Sequence, residues 1–243
     1  MRICQFCGKE FFLKNLAYEK RGNGKFCSLA CGTRKLQFNE KFFDAIDTEE
    51  KAYWLGFLYA DGSQNGNQFQ MCLKIDDKNH LEKFRNAIEA EHTVKEIIKK
   101  NHKAGIAALF QISSKYFCNS LQLCGCVKNK TFIVKFPIID SHLHRHFIRG
   151  VFDGDGTIGI MNKTYNYKKW TIYSASQNFC KSICDILVQN GINTKCYKRE
   201  YSDGRRPGYN AEVHRKDEFD KLYQYLYNSA TICLERKRNV FTI

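Results

Sequence analysis

No stretch of this 243-residue sequence approaches the roughly 20 consecutive apolar residues that a helix needs to span a bilayer. The sequence therefore predicts no transmembrane helix. The first five residues, Met-Arg-Ile-Cys-Gln, also lack the apolar core of a secretory signal. We accordingly expect the protein to act in a cytoplasmic or organellar compartment rather than outside the cell.

Acidic residues are scarce relative to basic ones. The 25 Asp and Glu residues stand against 39 Lys and Arg residues, which gives a formal net charge of +14. A folded domain with this excess favours phosphate-rich partners, because each Lys or Arg near a phosphate releases condensed counterions. The charge therefore favours nucleic acid as the partner, and charge that serves solubility alone is the alternative.

Four of the 12 cysteines lie in one short N-terminal segment with the spacing of a metal site. Cys4 and Cys7 form a C-x2-C pair, and Cys27 and Cys31 form a C-x3-C pair after a long spacer. Two close pairs can present four thiolates tetrahedrally to one zinc ion, in a segment too short to fold through apolar burial alone. We therefore predict a structural Zn²⁺ module over residues 1–38, with four unrelated buried cysteines as the alternative.

Beyond this segment the sequence repeats one order of elements. Residues 48–62 and 141–156 each predict a helix, with the first residue as N-cap and the final glycine as stop. The strands and helices predicted after them lie at about 66–75, 79–90, 93–100, 107–113 and 114–124, and again at about 157–161, 168–174, 176–190, 194–201, 209–214 and 216–227. Residues 45–138 and 139–243 thus predict two matched αββαββα halves of an α+β fold.

The two predicted helices end in related motifs. They read Trp-Leu-Gly-Phe-Leu-Tyr-Ala-Asp-Gly at 54–62 and Ile-Arg-Gly-Val-Phe-Asp-Gly-Asp-Gly at 148–156. Small residues at i and i+4 open a groove through which another helix can pack closely. If the helices pack in parallel through these faces, Asp61 and Asp155 meet at one end. Carboxylates brought together repel unless a divalent cation bridges them, so the motifs predict a metal site.

A calcium loop is one alternative interpretation of these Asp-Gly motifs. An EF-hand counted from Asp153 places Ile158 where glycine is needed and Thr164 where glutamate is needed. Counted from Asp61, it places Cys72 at the last ligand position. The calcium pattern therefore fails twice. A turn without function is the other alternative, and two matched copies disfavour it.

These motifs and the elements after them resemble the LAGLIDADG homing endonuclease family, in its single-chain, two-motif form, over about residues 45–243. The resemblance implies that the motif helices lie at a pseudo-twofold interface and that each half presents a saddle-shaped antiparallel sheet to the DNA major groove. It implies Mg²⁺ bound by the eighth-position acids, here Asp61 and Asp155, and by the backbone carbonyls of Ala60 and Gly154.

The first motif departs from the family pattern. Trp54 and Leu55 replace its opening residues, and Tyr59 replaces the acid at its sixth position. Because the sixth residue is not the essential ligand, we do not interpret this as inactivation. The departure does make the two predicted sites unequal.

The resemblance also implies a basic residue near each scissile phosphate, late in each half. Asn-Lys-Thr at 129–131 and Leu-Glu-Arg-Lys at 234–237 are similar to those segments, which makes Lys130 and Lys237 candidate catalytic residues. Such a lysine would stabilise the charge that grows on the phosphate oxygens or perturb the attacking water. A solvated lysine is the alternative for each.

Polar residues alternate with apolar ones in the predicted strands, which predicts a DNA-contacting face. Gln, Lys and Arg are residue types that read base edges in the major groove, and an ordinary solvent-facing sheet is the alternative. The candidates are Gln68, Gln70 and Lys74 in the first half, Lys169, Thr171, Tyr173, Lys195, Tyr197 and Arg199 in the second, and Arg205 and Arg206 as phosphate clamps. Because the halves differ at these positions, we expect a long target that is not palindromic.

Together these features predict a Mg²⁺-dependent endonuclease that cuts both strands of a specific double-stranded DNA site. One chain holds both halves, so a monomer would suffice. The alternatives on the same fold are a maturase that binds RNA and assists intron splicing, and a DNA-binding regulator that does not cut. Retention of both motif acids favours the nuclease, because a pure binder would be relieved of their electrostatic cost.

Overall fold

The chain divides into two compact units, Met1–Gln37 and Phe38–Ile243. The computed structural model describes residues 1–4, 8–12, 24–28, 31, 36–99, 105–126, 134–162, 167–204, 206–214 and 216–241. In the small unit, β1 (Arg2–Ile3) pairs antiparallel with β2 (Glu10–Phe11). None of the helices described in either unit has the length and apolarity required to cross a bilayer.

The larger unit alternates helices with pairs of strands. Its helices are α1 (Glu49–Asp61), α2 (Lys78–Ala87), α3 (Lys115–Leu123), α4 (His144–Asp155), α5 (Gln177–Gln189), α6 (Lys216–Tyr227) and α7 (Glu235–Asn239). Its strands are β3 (Gly62–Asn65), β4 (Gln68–Lys74), β5 (Lys95–Lys99), β6 (Gly105–Ser113), β7 (Thr157–Asn162), β8 (Tyr167–Ser174), β9 (Lys195–Arg199) and β10 (Gly208–Val213). The order α1-β3-β4-α2-β5-β6-α3 recurs as α4-β7-β8-α5-β9-β10-α6, so the predicted αββαββα duplication is confirmed. The boundary between the halves at residues 138 and 139 stays a prediction.

Each half forms one four-stranded antiparallel sheet. The strand order is β3-β4-β6-β5 in the first sheet and β7-β8-β10-β9 in the second sheet. Phe69 and Met71 of β4 are buried, as are Trp170 and Ile172 of β8. Because side chains alternate across a strand, the intervening residues lie on the opposite, open face of each sheet.

The ends of the motif helices follow local chemistry. The Thr48 hydroxyl accepts a hydrogen bond from the backbone N–H of Lys51 at 3.3 Å, so α1 has the predicted N-cap. The predicted cap at Ser141 is wrong, because residues Ser141–Leu143 form a 3-10 turn. Leu143 caps α4 instead and has no side-chain oxygen that could accept a hydrogen bond.

One short strand was not predicted from the sequence. β3 (Gly62–Asn65) follows α1 directly and pairs with β4, whereas the sequence predicted a single strand over 66–75. The four residues Gly-Ser-Gln-Asn carry no apolar side chain, so no alternating pattern marks them. Gly66 closes the hairpin with a φ of 60°, a left-handed conformation that suits glycine.

Candidate functional site

The two motif helices, α1 and α4, pack against each other through their glycines. A Cβ placed on Gly56 would overlap the carbonyl oxygen of Phe147, and one placed on Gly150 would overlap the carbonyl oxygen of Tyr53. Contacts therefore join backbone to backbone, which only the absence of a side chain allows. Tyr53 lies against Gly150, and further along α1 Ala60 lies against Gly154. Residue numbers therefore increase in the same direction along both helices, so the helices run in parallel.

This packing brings the motif acids to one end of the helix pair. A Cβ placed on Gly154 would press against the Cβ of Ala60 and lie 3.4 Å from Oδ2 of Asp61. Asp155 follows Gly154 directly in the chain. Asp61 is partly buried and Asp155 is exposed, so both acids border solvent at this end. The juxtaposition that the motifs predicted is thus present in the structure.

Lys237 of α7 lies beside the two acids. Its Nζ donates a hydrogen bond to the carbonyl oxygen of Gly156. Burial, followed by the neighbouring charge of Arg236, lowers the pKa of Lys237, while the carboxylates of Asp153, Asp155 and Asp61 act in the opposite direction. The ammonium group is therefore within electrostatic range of both motif acids. Lys130, the predicted counterpart, lies outside the described residues.

An ion pair fixes the residue next to Lys237. Arg236 donates from Nε to Oδ1 of Asp77 at 2.8 Å and from Nη2 to Oδ2 at 2.7 Å. Asp77 is buried at the start of α2, so the second half's C-terminal helix is held on the first half. The sequence carries no local signal for this pair, because its members are 159 residues apart.

Asp153, the acid at the sixth position of the second motif, holds the helix interface from within. Its buried carboxylate accepts hydrogen bonds from the hydroxyls of Tyr53 at 2.9 Å and Tyr227 at 2.6 Å, and from the backbone N–H of Leu234 at 2.6 Å. Burial raises the pKa of Asp153 to about 6, against the effect of these donors. Asp153 therefore joins α1 to α4 and anchors the chain just before α7.

The equivalent position in the first motif holds a hydrogen-bond donor instead of an acceptor. Tyr59 donates its hydroxyl to the carbonyl oxygen of Cys124 at 2.6 Å, and Cys124 caps the C-terminus of α3. Burial raises the pKa of this hydroxyl, so it stays a neutral donor. The two sites are therefore built differently, as the departure at Tyr59 predicted.

Arg149 is completely buried and fixes the segment between α6 and α7. Its guanidinium donates to the carbonyl oxygens of Ile232 at 3.0 Å and Leu226 at 2.8 Å, and to Oε1 of Glu49 at 2.7 Å. The same oxygen of Glu49 accepts from the backbone N–H of Thr231 at 2.8 Å. An arginine within an apolar helix was the available sequence signal for this anchor.

The end of the helix pair suits a hard divalent cation. Helix C-termini carry partial negative charge and backbone carbonyls that lack intrahelical partners. Asp61 and Asp155 add two carboxylates there, and Ala60 and Gly154 supply the preceding carbonyl groups. Oxygen ligands of this kind are those that Mg²⁺ and Ca²⁺ prefer. The arrangement fits the predicted Mg²⁺ ligands, whose assignment stays a prediction.

The predicted DNA-contacting residues lie mainly on the open faces of the sheets. Those on β4 are Gln68, Gln70 and Lys74, those on β8 are Lys169, Thr171 and Tyr173, and those on β9 are Lys195, Tyr197 and Arg199. Lys169 is already engaged by Glu212, with Nζ 3.2 Å from Oε1. Arg206 is exposed beyond β9, and Arg205 lies outside the described residues.

The small unit brings together three of the four predicted zinc ligands. The Sγ atoms of Cys4, Cys27 and Cys31 lie within 4.8 Å of one another, and those of Cys27 and Cys31 are 3.5 Å apart. Thiolates that share a tetrahedral zinc ion at about 2.3 Å stand roughly 3.8 Å apart, so this cluster is compatible with zinc. Cys7 lies outside the described residues.

Cys27→Ser should remove the metal from this unit. The wild-type protein is expected to carry about one equivalent of zinc, because a segment this short needs a metal ion bound by its thiolates to stay folded. Zinc content measured on the purified proteins should fall to the background for Cys27→Ser and stay unchanged for Cys196→Ser, an exposed cysteine of the larger unit. A metal-free wild-type protein with an intact N-terminal unit would contradict the zinc assignment.

Comparisons with known proteins identify the fold. Residues 142–227 match the profile of a LAGLIDADG-like domain. The structure is similar to the homing endonuclease I-WcaI bound to its DNA recognition sequence, with a TM-score of 0.56 and 14% identity over 82% of this chain and 91% of that one. It is also similar to I-DmoI in complex with DNA and Ca, with a TM-score of 0.50 and 13% identity over 84% of this chain and 100% of that one.

A further similarity is to the N-terminal LAGLIDADG domain of DUF199/WhiA, with a TM-score of 0.49 and 14% identity over 80% of this chain and 90% of that one. No curated protein sequence matches the chain. Identities this low establish the fold alone. The fold that the resemblance implied is thereby confirmed, and the match to a LAGLIDADG-like domain spans the second motif.

Proposed function

We propose that this chain, whose larger unit has the LAGLIDADG fold, is a Mg²⁺-dependent endonuclease that cuts both strands of a specific double-stranded DNA site. The observation that carries the proposal is the meeting of Asp61 and Asp155 at one end of two parallel helices, with Lys237 beside them. A purely structural helix pair has no need for two carboxylates at this solvent boundary, where they repel each other.

Each residue of the site has a distinct part in phosphodiester hydrolysis. Asp61 and Asp155 would each hold a Mg²⁺ ion, with the carbonyl oxygens of Ala60 and Gly154 as further ligands. Each ion, when bound, would supply Lewis acidity and lower the pKa of water. Lys237, held by the carbonyl of Gly156, stabilises the negative charge that grows on the phosphate oxygens.

Two acids from two halves allow one site for each DNA strand. Asp61 serves one strand and Asp155 serves the other, and Lys130 has the role in one half that Lys237 has in the other. Water adds to phosphorus and the 3′ oxygen leaves, which yields 5′-phosphate and 3′-hydroxyl ends. The net charge of +14 favours the DNA backbone as the partner of the flanking sheets, and one chain suffices as a monomer.

The direct test is cleavage of the protein's own candidate target. The purified chain is incubated with Mg²⁺ and DNA that flanks its gene, joined without the intervening element. We expect one double-strand break at the junction, and none when EDTA replaces Mg²⁺. Absence of cutting together with promotion of intron splicing would favour a maturase. Specific DNA binding with neither activity would favour a regulator, and either result would overturn the nuclease proposal.

The ion pair between Arg236 and Asp77 should control cleavage through the position of Lys237. Arg236→Gln and Asp77→Asn are each expected to slow cleavage with DNA binding retained. A misplacement of about 1 Å at a reacting centre can cost on the order of 10²-fold in rate. Because both changes release the same contact, the double variant should be no slower than the slower single variant.

Glu96→Gln provides the matched control for this ion pair. It breaks the pair of Glu96 with Lys78, which has a similar distance of 2.7 Å but is exposed to solvent. Exposed ion pairs contribute little, so cleavage should be unchanged. Wild-type rates in Arg236→Gln, or losses that simply add in the double variant, would show that the Arg236–Asp77 pair does not position the site.

A further inference from the structure

The open face of the first sheet carries two glutamines side by side. Gln70 of β4 and Gln111 of β6 are direct partners in the antiparallel register. Side chains at such positions have Cβ atoms about 4.5–5.5 Å apart, so the two amides form one patch. Both residues are partly buried. The sequence predicts DNA contact for Gln70 but not for Gln111.

These two amides are available to a ligand. Among the residues that the structure describes, neither Gln70 nor Gln111 makes a side-chain hydrogen bond. Gln64, on the opposite face of the same sheet, donates to the carbonyl oxygen of Cys126 at 3.1 Å and contacts Gln122 at 3.2 Å. The glutamines that serve the fold are thus engaged, and the pair on the open face is not.

The second sheet has a different residue at the matched position. In the first sheet, Ser63 follows the motif glycine and pairs with Gln70, and Gln70 pairs in turn with Gln111. In the second sheet, Thr157 follows the motif glycine and pairs with Thr171, and Thr171 pairs in turn with Glu212. Gln111 and Glu212 therefore occupy equivalent places in the two halves.

Glu212 is already occupied by its neighbours. It is buried, and its carboxylate accepts from Lys169 at 3.2 Å and Asn210 at 2.9 Å, while Nε2 of His214 lies 2.8 Å from its other oxygen. A saturated carboxylate offers no pair of free donors and acceptors to a base. The two halves therefore present different side-chain chemistry at the same register position of their sheets.

We propose that Gln70 and Gln111 form an adenine-reading subsite in the major groove of the half-target under the first sheet. A glutamine amide presents one donor and one acceptor side by side, which matches the N7 acceptor and N6 donor of adenine. Guanine presents two acceptors on that edge and leaves the amide oxygen unpaired. The subsite rests on the proposed DNA binding, and it specifies a base that is not required at the mirrored position.

Selection from a DNA library randomised across the target tests the subsite. The full chain selects bound DNA in Ca²⁺, and the bound pool is sequenced. The wild type should enrich adenine over guanine by roughly ten- to a hundred-fold at one or two adjacent positions of one half-target only. Gln111→Arg should replace adenine by guanine there, because arginine pairs with the two acceptors of guanine. Gln70→Arg provides a second, independent variant.

Asn119→Arg is the control, because it adds the same charge on an exposed residue of α3 outside the sheet. Its selected sequence should equal that of the wild type. A specific sequence that stays the same in both Gln70→Arg and Gln111→Arg would overturn the subsite while leaving the endonuclease proposal intact. A wild-type protein that enriches no sequence would overturn both.

Discussion

Asp61→Asn and Asp155→Asn should each leave the protein able to cut only one strand of its target. Asparagine keeps the shape of the side chain but removes the charge that attracts the cation. Loss of one such preorganised stabilising group typically costs 10²–10³-fold in rate, so we expect at least about that loss on one strand. Each acid comes from a different motif helix, so the other strand should still be cut.

A supercoiled plasmid that carries the target distinguishes these outcomes in one assay. The wild type should convert it to the linear form, and each single variant should stop at the nicked circle. The double variant should leave the plasmid supercoiled. Binding of the target in Ca²⁺ should survive in all three, because the open faces of the sheets are unchanged.

Asp185→Asn serves as the control for these substitutions. It removes the same charge from an exposed position on α5, outside both motif helices and both sheets, and should produce linear DNA at the wild-type rate. Linear product from either Asp61→Asn or Asp155→Asn at the wild-type rate would contradict the assignment of one acid to each strand.

Gly150→Ala should destabilise the larger unit by about 3 kcal/mol or more, at the upper end of the cost of overpacking. The added Cβ would overlap the carbonyl oxygen of Tyr53, which belongs to the backbone of α1 and cannot turn away. In a helix, alanine is intrinsically favoured over glycine by about 1 kcal/mol. Any loss of stability therefore measures the closeness of the two motif helices.

The control for Gly150→Ala is the same substitution at Gly159 of β7, where an added Cβ would meet nothing within 4 Å. Urea unfolding of both variants should show a large decrease in the free energy of unfolding for Gly150→Ala and a change within about 1 kcal/mol for Gly159→Ala. A Gly150→Ala protein as stable as the wild type would mean that α1 and α4 do not pack through their glycines.

The parts of the fold that could be predicted from sequence are those with a local signal. Both motif helices have i,i+4 small residues, an aspartate and a terminal glycine within nine positions. Because the motif occurs twice, each copy supports the structural interpretation of the other. The alternation of Phe69 and Met71 with polar residues likewise indicated which face of β4 is open. β3 lacked an apolar pattern, and the 3-10 turn at Ser141–Leu143 displaced the predicted cap.

The parts of the site that escaped prediction depend on distant residues. The Arg236–Asp77 pair and the three donors to Asp153 come from segments that only the folded chain brings together. Gln111 stands in a strand that is otherwise largely apolar, and only the register that pairs it with Gln70 reveals a shared patch. The equivalence between Gln111 and Glu212 likewise follows from the register of strand pairing, which the sequence does not specify to within one residue.

The most direct measurement is a crystal structure of the chain with its target DNA, grown with Ca²⁺ in place of Mg²⁺. Carboxylate oxygens of both Asp61 and Asp155 should lie about 2.3–2.6 Å from bound calcium, with a phosphate of each strand at the same ions. Calcium ions bound elsewhere, or these two acids turned away from the DNA backbone, would contradict the assignment of the nuclease centre.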